Sequence, residues 1–571
     1  MPDTQPKPST ADMRQPAETT GAVIVGAGFG GLYMLHRLRG LGIPARVFEA
    51  AGDVGGTWYW NRYPGARCDV ESMQYSYSFD EALQQEWKWS ERFASQPEIL
   101  RYAQHVADRL DLRRDIQFNT RVTSAVFDEA TRLWTVETDR GDRVSAQYCV
   151  MATGCLSAAK LPEIPGIEGF RGRTYHTGHW PHEEVDFTGQ RVAVIGTGSS
   201  AIQSIPVIAE QAKHLFVFQR TPNFSIPTRN KPMDAEYEGW WKRDYAEHRR
   251  KAREMRTGIL YDINHVSAME VTPEERRREY ERRWETGGTA FMGAFVDLVT
   301  SKESNDTASE FVRDRIREMV RDPAVAERLC PTNHPIGTKR ICVDSHYYET
   351  YNRDNVTLVD VRESPIEAIT PKGVRTRDAE YEVDSIVFAT GFDAMTGTLQ
   401  KIDIRGRGGL TLAEKWHAGP RTYLGLMTAG FPNLFLITGP GSPSVLSNMI
   451  VSIEQHVDWL TDLFAHMRVR SLDLIEPTQE AEDAWVEHAN EVAHRTLYPQ
   501  ANSWYMGANV PGKPRVFMPY IGGVGVYRQK CDEIAAHGYE GFRLTAHGGE
   551  TSAVPLEGAF TAPAVESSAA A

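Results

Sequence analysis

Gly26, Gly28 and Gly31 stand in the spacing G-x-G-x-x-G directly behind the apolar run Ala22-Val23-Ile24-Val25. Each glycine has a use there: Gly26 allows a tight turn, Gly28 lets a pyrophosphate approach the backbone, and Gly31 lets a helix pack closely on a strand. The phosphates of a dinucleotide would rest on the N-terminus of that helix. Glu49 lies 18 residues past Gly31, where a carboxylate bonds ribose hydroxyls and repels a 2′-phosphate, so this first site suits FAD or NAD. The spacing returns at Gly196, Gly198 and Ala201, and 19 residues further on stands Arg220 in place of an acid. A permanent cation there, with Thr221 beside it, suits the 2′-phosphate of NADPH.

These residues need particular elements to position them. Around the first turn the chain reads as strand, turn and helix (LYMLHRLRGLG, ending at a glycine), followed by the strand ARVFEA. RVAVIGTGSSAIQSIPVIAEQA and HLFVFQR repeat the pattern. The fold class is therefore α/β, with two Rossmann-like dinucleotide-binding domains. Two further apolar strands, YCVMATGC (148–155) and SIVFATGFD (385–393), each run into Ala-Thr-Gly, suggesting where the chain crosses between domains. This reading gives an FAD-binding domain over 21–155 and 385–544, with an NADPH-binding domain over 156–384 inserted between. A helical insert falls at about 230–335, where TPEERRREYERRWE supplies Thr272 as N-cap, Pro273 at the first helical position and Glu275 to close a capping box. Its arginines read as a solvated face. Residues 1–20 and 545–571 lack enough apolar surface to offset their ordering entropy and read as disordered tails.

Composition narrows the function. With 571 residues, 41% hydrophobic and 24% charged, the chain fits a soluble multidomain enzyme. A formal charge of −13 disfavours nucleic acid and anionic membranes as partners. The six cysteines form no CxxC pair, which gives no metal site and no redox disulfide and suits a reducing cytoplasm. No apolar leader or membrane-spanning run is present. Oligomeric state stays open.

Two longer patterns add chemistry. Phe170, Gly172, His176, Trp180 and Pro181 occur in the spacing FxGxxxHxxxWP, and residues 56–69 give GxWxxxxYPGxxxD, ending at Asp69. Over roughly residues 20–545 the chain resembles the Baeyer–Villiger monooxygenases. The resemblance implies a soluble enzyme in which NADPH reduces FAD, O₂ gives a C4a-peroxyflavin, and one oxygen is inserted beside a ketone carbonyl to form an ester or lactone. It implies FAD contacts at Glu49, Thr57, Trp58, Asp69, Tyr75 and Met449. NADPH contacts fall at Thr197, Ser199, Ser200, Gln203, Arg220, Thr221, Lys339 and Arg340. Arg340 is the implied catalytic arginine, with Asp69 orienting it, and the FxGxxxHxxxWP segment is an implied coupling hinge. Leu446 and Trp504, in GPGSPSVLSNM and NSWYMGANVPGKPR, are candidate walls of the substrate pocket.

Three other readings are weighed. Flavin monooxygenases that oxidise amines or sulfides lack the Trp-Pro that ends the first pattern. A pyridine nucleotide disulfide reductase needs a redox cysteine pair. An NADPH sensor would consume no NADPH with ketones.

Overall fold

The computed structural model describes residues 18–556 and 560. Its first sheet is centred on the strand Glu18–Val25, which lies parallel to Ala45–Phe48 on one side and Arg143–Met151 on the other. Ala22, Val23 and Ile24 are wholly buried, as expected of a strand covered on both faces. Val122–Asp128 and Leu133–Thr138 extend this sheet as an antiparallel meander, and Leu434–Leu436 pairs parallel with Arg143–Met151. The helices Phe29–Gly40 and Met449–Val469 pack together over it.

The second sheet is parallel throughout, in the order Val356–Asp360, His214–Gln219, Arg191–Ile195, Ser385–Phe388, Arg173–His176. Here the sequence reading needs a correction. Ser385–Phe388, expected to open the second part of the FAD domain, is a central strand of this second sheet, with Ser385 beside Val192 and Phe388 beside Ile195. The two Ala-Thr-Gly segments are equivalents, one per sheet. Ala152 N–H donates to the Val25 carbonyl (2.9 Å) and Ala389 N–H to the Ile195 carbonyl (3.0 Å). Each thereby abuts its own glycine turn, so the chain returns to the first unit only after Phe388.

The expected helical stretch holds Ala235–Arg243, Tyr245–Glu254, Pro273–Thr286, Lys302–Met319 and Pro323–Leu329. Thr272 and Glu275 form the capping box. Arg283 departs from the solvated face assigned to that helix: it is 2% exposed and bonded to Glu279 and the Asp262 carbonyl. The tails are also shorter than expected. Residues 18–20 begin the first strand, and Phe542–Ala546 and Thr551–Ala553 form a small antiparallel sheet with Leu472–Pro477. The rest of both tails, 1–17 and 561–571, lies outside the described residues, as do 557–559. No described helix is long and apolar enough to cross a membrane.

Candidate active site

Both glycine turns are shaped for a nucleotide. A Cβ added at Gly31 would lie 1.9 Å from the Gly26 carbonyl oxygen, and one at Gly56 would lie 2.9 Å from the Gly28 Cα. Gly28 caps the helix Phe29–Gly40 without a side-chain bond, and no acid occupies its first turn. The leading N–H groups and the positive end of the helix dipole therefore face a bare backbone cradle, which suits a pyrophosphate. Glu49 closes the cradle: it is buried, and its two oxygens accept N–H bonds from Ala27 (2.6 Å) and Ala51 (2.7 Å). Burial raises its pKa above the usual carboxylate range, against the pull of those donors. Next to it, Trp58 Nε1–H donates to the Tyr75 hydroxyl (3.1 Å), while Thr57 is exposed at the start of the short helix Thr57–Trp60.

The second turn is more open. Gly198 caps Ser199–Gln211, again with no side-chain bond and no acid in the first turn, and a Cβ at Gly198 would meet nothing within 4 Å. Gly196 (φ +114°) could not be replaced, since its Cβ would lie 2.5 Å from the Ala389 carbonyl oxygen. The Thr197 hydroxyl donates to the Thr221 carbonyl (2.8 Å). Arg220 is exposed and Lys339 half-buried, and among the described residues neither meets a carboxylate. Burial, then the charge of Arg220, pulls the Lys339 pKa down. Two cations that feel each other with no anion between them suit a phosphate. Gln203, on the same helix, also joins the two units: its carboxamide accepts from the Tyr63 hydroxyl (2.9 Å) and donates to the Arg67 carbonyl (3.2 Å). It clasps the Tyr63-Pro64-Gly65 turn to the second unit, and a Cβ at Gly65 would lie 2.3 Å from the Gln203 carbonyl oxygen.

That clasped turn leads straight to Asp69. Oδ2 of Asp69 accepts from both Nε (3.0 Å) and Nη2 (2.7 Å) of Arg340, whose Nη1 donates to the Val445 carbonyl (2.6 Å). The neighbouring Asp69 charge holds the Arg340 pKa above its ordinary value, more than offsetting burial. The guanidinium is thus charged at every working pH and fixed on three sides. It faces a cavity of about 160 Å³ whose walls include Met292, Phe295, Leu446, Tyr498 and Tyr505. Met449 starts the helix Met449–Val469, its sulfur accepting from the Val445 N–H (3.2 Å).

The FxGxxxHxxxWP residues divide into two groups. Phe170 and Gly172 sit at the far end of the strand Arg173–His176, where a Cβ at Gly172 would strike the Asp384 carbonyl oxygen at 2.3 Å. His176 and Trp180 lie at the near end. Nδ1 of His176 accepts from the Gly178 N–H (2.9 Å), which leaves the proton on Nε2, 3.2 Å from the Lys160 carbonyl. Burial lowers its pKa, so it stays neutral. Trp180 is buried, stacks on Tyr175 (5.3 Å between centroids), and donates its backbone N–H to the Trp60 carbonyl (3.3 Å). Thr177 bonds Ser200 at the second glycine turn (3.0 Å). Trp180, next to half-buried Pro181, therefore ties the Thr57–Trp60 helix to the strand that reaches this turn.

Of the two expected pocket residues, Leu446 lines the cavity. Trp504 does not: its ring lies tilted against that of its neighbour Tyr505, which takes the wall position instead (centroids 4.2 Å apart). Sequence reasoning missed Tyr498, Met292, Phe295 and Arg256, and in the segment 502–515 it picked Trp504 in place of Tyr505. They come from loops and the helical insert with no motif to mark them.

A family model described as pyridine nucleotide-disulphide oxidoreductase matches residues 23–281, the stretch that holds both glycine turns. The chain is 45% identical to a Baeyer-Villiger monooxygenase of Pseudooceanicola batsensis over 91% of its own length and 95% of the relative's. It is 44% identical to an acetone monooxygenase (methyl acetate-forming) of Gordonia sp., covering 92% and 99%. Among solved structures, an oxidized steroid monooxygenase bound to NADP is 57% identical, with TM-score 0.89 over 92% of this chain and 99% of that one.

Proposed function

Because this chain belongs to the Baeyer–Villiger monooxygenases, NADPH-dependent FAD enzymes that insert one oxygen of O₂ beside a ketone carbonyl to give an ester or lactone, we propose that its catalytic charge is the Arg340 guanidinium, held in place by Asp69. The observation that carries this assignment is the three-point fixation of Arg340 at the cavity wall. FAD would lie on the turn at Gly26, Gly28 and Gly31, with Glu49, Thr57, Trp58, Tyr75 and Met449 around it. NADPH would lie on the turn at Gly196, Gly198 and Ala201, with Arg220, Thr221 and Lys339 on its 2′-phosphate. When bound, the two cofactors supply the electrons and the activation of O₂.

What the chain's own residues add is position, charge and dryness. As a carbonyl oxygen gains negative charge, a guanidinium about 4 Å away lowers its energy by roughly 4 kcal/mol at an effective dielectric near 20. Asp69 keeps the planar fork aimed, since two of the three donated bonds go to one of its carboxylate oxygens, and it holds the proton on the guanidinium. The aromatic and aliphatic walls keep water from competing for the oxyanion. We place the enzyme in the cytoplasm, where NADPH is supplied and its six unpaired thiols stay reduced. Arg340→Ala should still let NADPH bleach the flavin while ester formation from ketones disappears. An unchanged ester yield in that variant would remove Arg340 from the reaction.

A further inference from the structure

The cavity that holds Arg340 has a charge that the ketone chemistry leaves unused. Two charged side chains line it, Arg340 and Arg256, and no carboxylate does. Arg340 is compensated by Asp69 (2.7 Å). Among the described residues Arg256 has neither an ion pair nor a side-chain hydrogen bond, and the nearest acid in sequence, Glu254, is committed to Arg250 (2.5 Å).

The place for Arg256 is built. Its carbonyl accepts from the Val524 N–H (2.9 Å), at the start of the helix Val524–Ala536, and the next residue's carbonyl accepts from the Asn448 N–H (2.8 Å). Gly523, at φ +98°, faces the arginine's stem, and a Cβ there would lie 3.1 Å from Arg256 Cγ. Gly525 likewise makes way for the Glu254 carbonyl oxygen, which a Cβ would approach to 2.3 Å. The GGVG run 522–525 thus leaves room for the 254–256 backbone and for this side chain. The charge reaches the cavity: burial raises the pKa of Tyr261 and Tyr498, both wall residues, and Arg256 works against that rise in each. Tyr498 also feels Arg340.

A cation kept in an apolar cavity without a counter-ion is costly unless something that enters supplies one. We propose that Arg256 is a specificity residue that selects ketones bearing a carboxylate remote from the carbonyl, its guanidinium binding the acid while Arg340 faces the carbonyl oxygen. The inference rests on the cavity being the ketone site. It names a property of the substrate that neither motif carries.

The test compares a cyclohexanone bearing a ring carboxylate with its primary amide, which has the same shape and no charge. The wild-type holoenzyme should favour the acid in kcat/KM by roughly ten- to a hundredfold, the range of a charge-assisted hydrogen bond. In Arg256→Met that preference should vanish through a higher KM for the acid, with kcat little changed. Arg256→Lys should restore part of it, and Arg256→Glu should invert it. Flavin content and reduction by NADPH establish that each variant is folded. Equal kcat/KM for acid and amide in the wild type, or a preference that survives in Arg256→Met, would overturn the proposal. Because lactone formation from the amide reports the ketone chemistry separately, either result would leave that reading standing.

Discussion

Three arginines in this chain differ less in charge than in company. Arg340 has Asp69, and so can be held close to a reacting oxygen without drifting. Arg220 and Arg256 have no carboxylate among the described residues, and each is available to a ligand's anion. For Arg220 the expected anion is a 2′-phosphate. Arg220→Ala should raise KM for NADPH by roughly ten- to a hundredfold and leave KM for NADH within about twofold, because NADH has no group there to lose. Equal losses with both cofactors would mean that the arginine supports the fold instead. Lys339 adds a pH signature. Since burial and then Arg220 lower its pKa, it sheds its proton at a lower pH than an ordinary lysine. The preference for NADPH over NADH should therefore weaken as the solution turns alkaline, before the usual lysine range is reached. A preference constant from neutrality to about pH 10 would exclude Lys339 from phosphate binding.

At the level of elements, the two glycine turns look alike in sequence but fail differently when altered. Gly31→Ala places a carbon 1.9 Å from the Gly26 carbonyl oxygen, which no rotamer can relieve, so the helix must leave the strand. The variant should be recovered without bound flavin, or not in soluble form, and normal flavin content would refute the packing role. Gly198→Ala meets only open space. It should keep the wild-type melting temperature and flavin content while KM for NADPH rises, because the added methyl stands where the phosphates approach. The contrast explains what could be read in advance. The turns were legible because each glycine answers a local geometric need, and Asp69 and Arg340 because each lies in a motif or stretch shared with a family. The strand Ser385–Phe388 was assigned to the wrong unit because a buried parallel strand reads as an unbroken apolar run, with nothing in it to name its neighbours. Apart from Leu446 and Arg340, the cavity walls were illegible for a related reason. Arg256, Met292, Tyr498 and Tyr505 come from separate segments, and only tertiary packing brings them together. Arg283 was misread because its helix looks polar all round, although one of its turns faces the core.

At the scale of the whole molecule, several imidazoles are buried away from solvent, His334, His456 and His488 among them. His334 begins the stretch that ends at Arg340, and burial pulls its pKa down to about 3, with Lys339 adding to the effect. His456 accepts the Thr438 N–H at Nδ1 (2.9 Å) and faces the Tyr527 hydroxyl at Nε2 (3.0 Å), and burial sets its pKa at about 3. His488, beside the Tyr520 hydroxyl (3.0 Å), is lowered to about 4, again chiefly by burial. All three are neutral in the folded protein, whereas the unfolded chain protonates them near pH 6.5. Their contribution to stability is therefore complete above about pH 6.5 and is lost as the pH falls from there toward about 3 to 4, through the preferential uptake of protons by the unfolded state. At about pH 5 each accounts for roughly 2 kcal/mol, and together they rival the 5–15 kcal/mol that holds an ordinary domain together. Only the upper part of the window, above about pH 5, lies clear of the range in which ordinary carboxylates titrate, so the effect is best followed there. Urea midpoints followed from about pH 7 to pH 5 should fall steadily, with these three imidazoles each contributing about one proton to the uptake on unfolding at the acid end. His456→Gln should be less stable than wild type at neutral pH yet lose less on acidification, its proton uptake smaller by about one. A midpoint that stays level over this interval would show that these imidazoles already carry their protons in the folded enzyme.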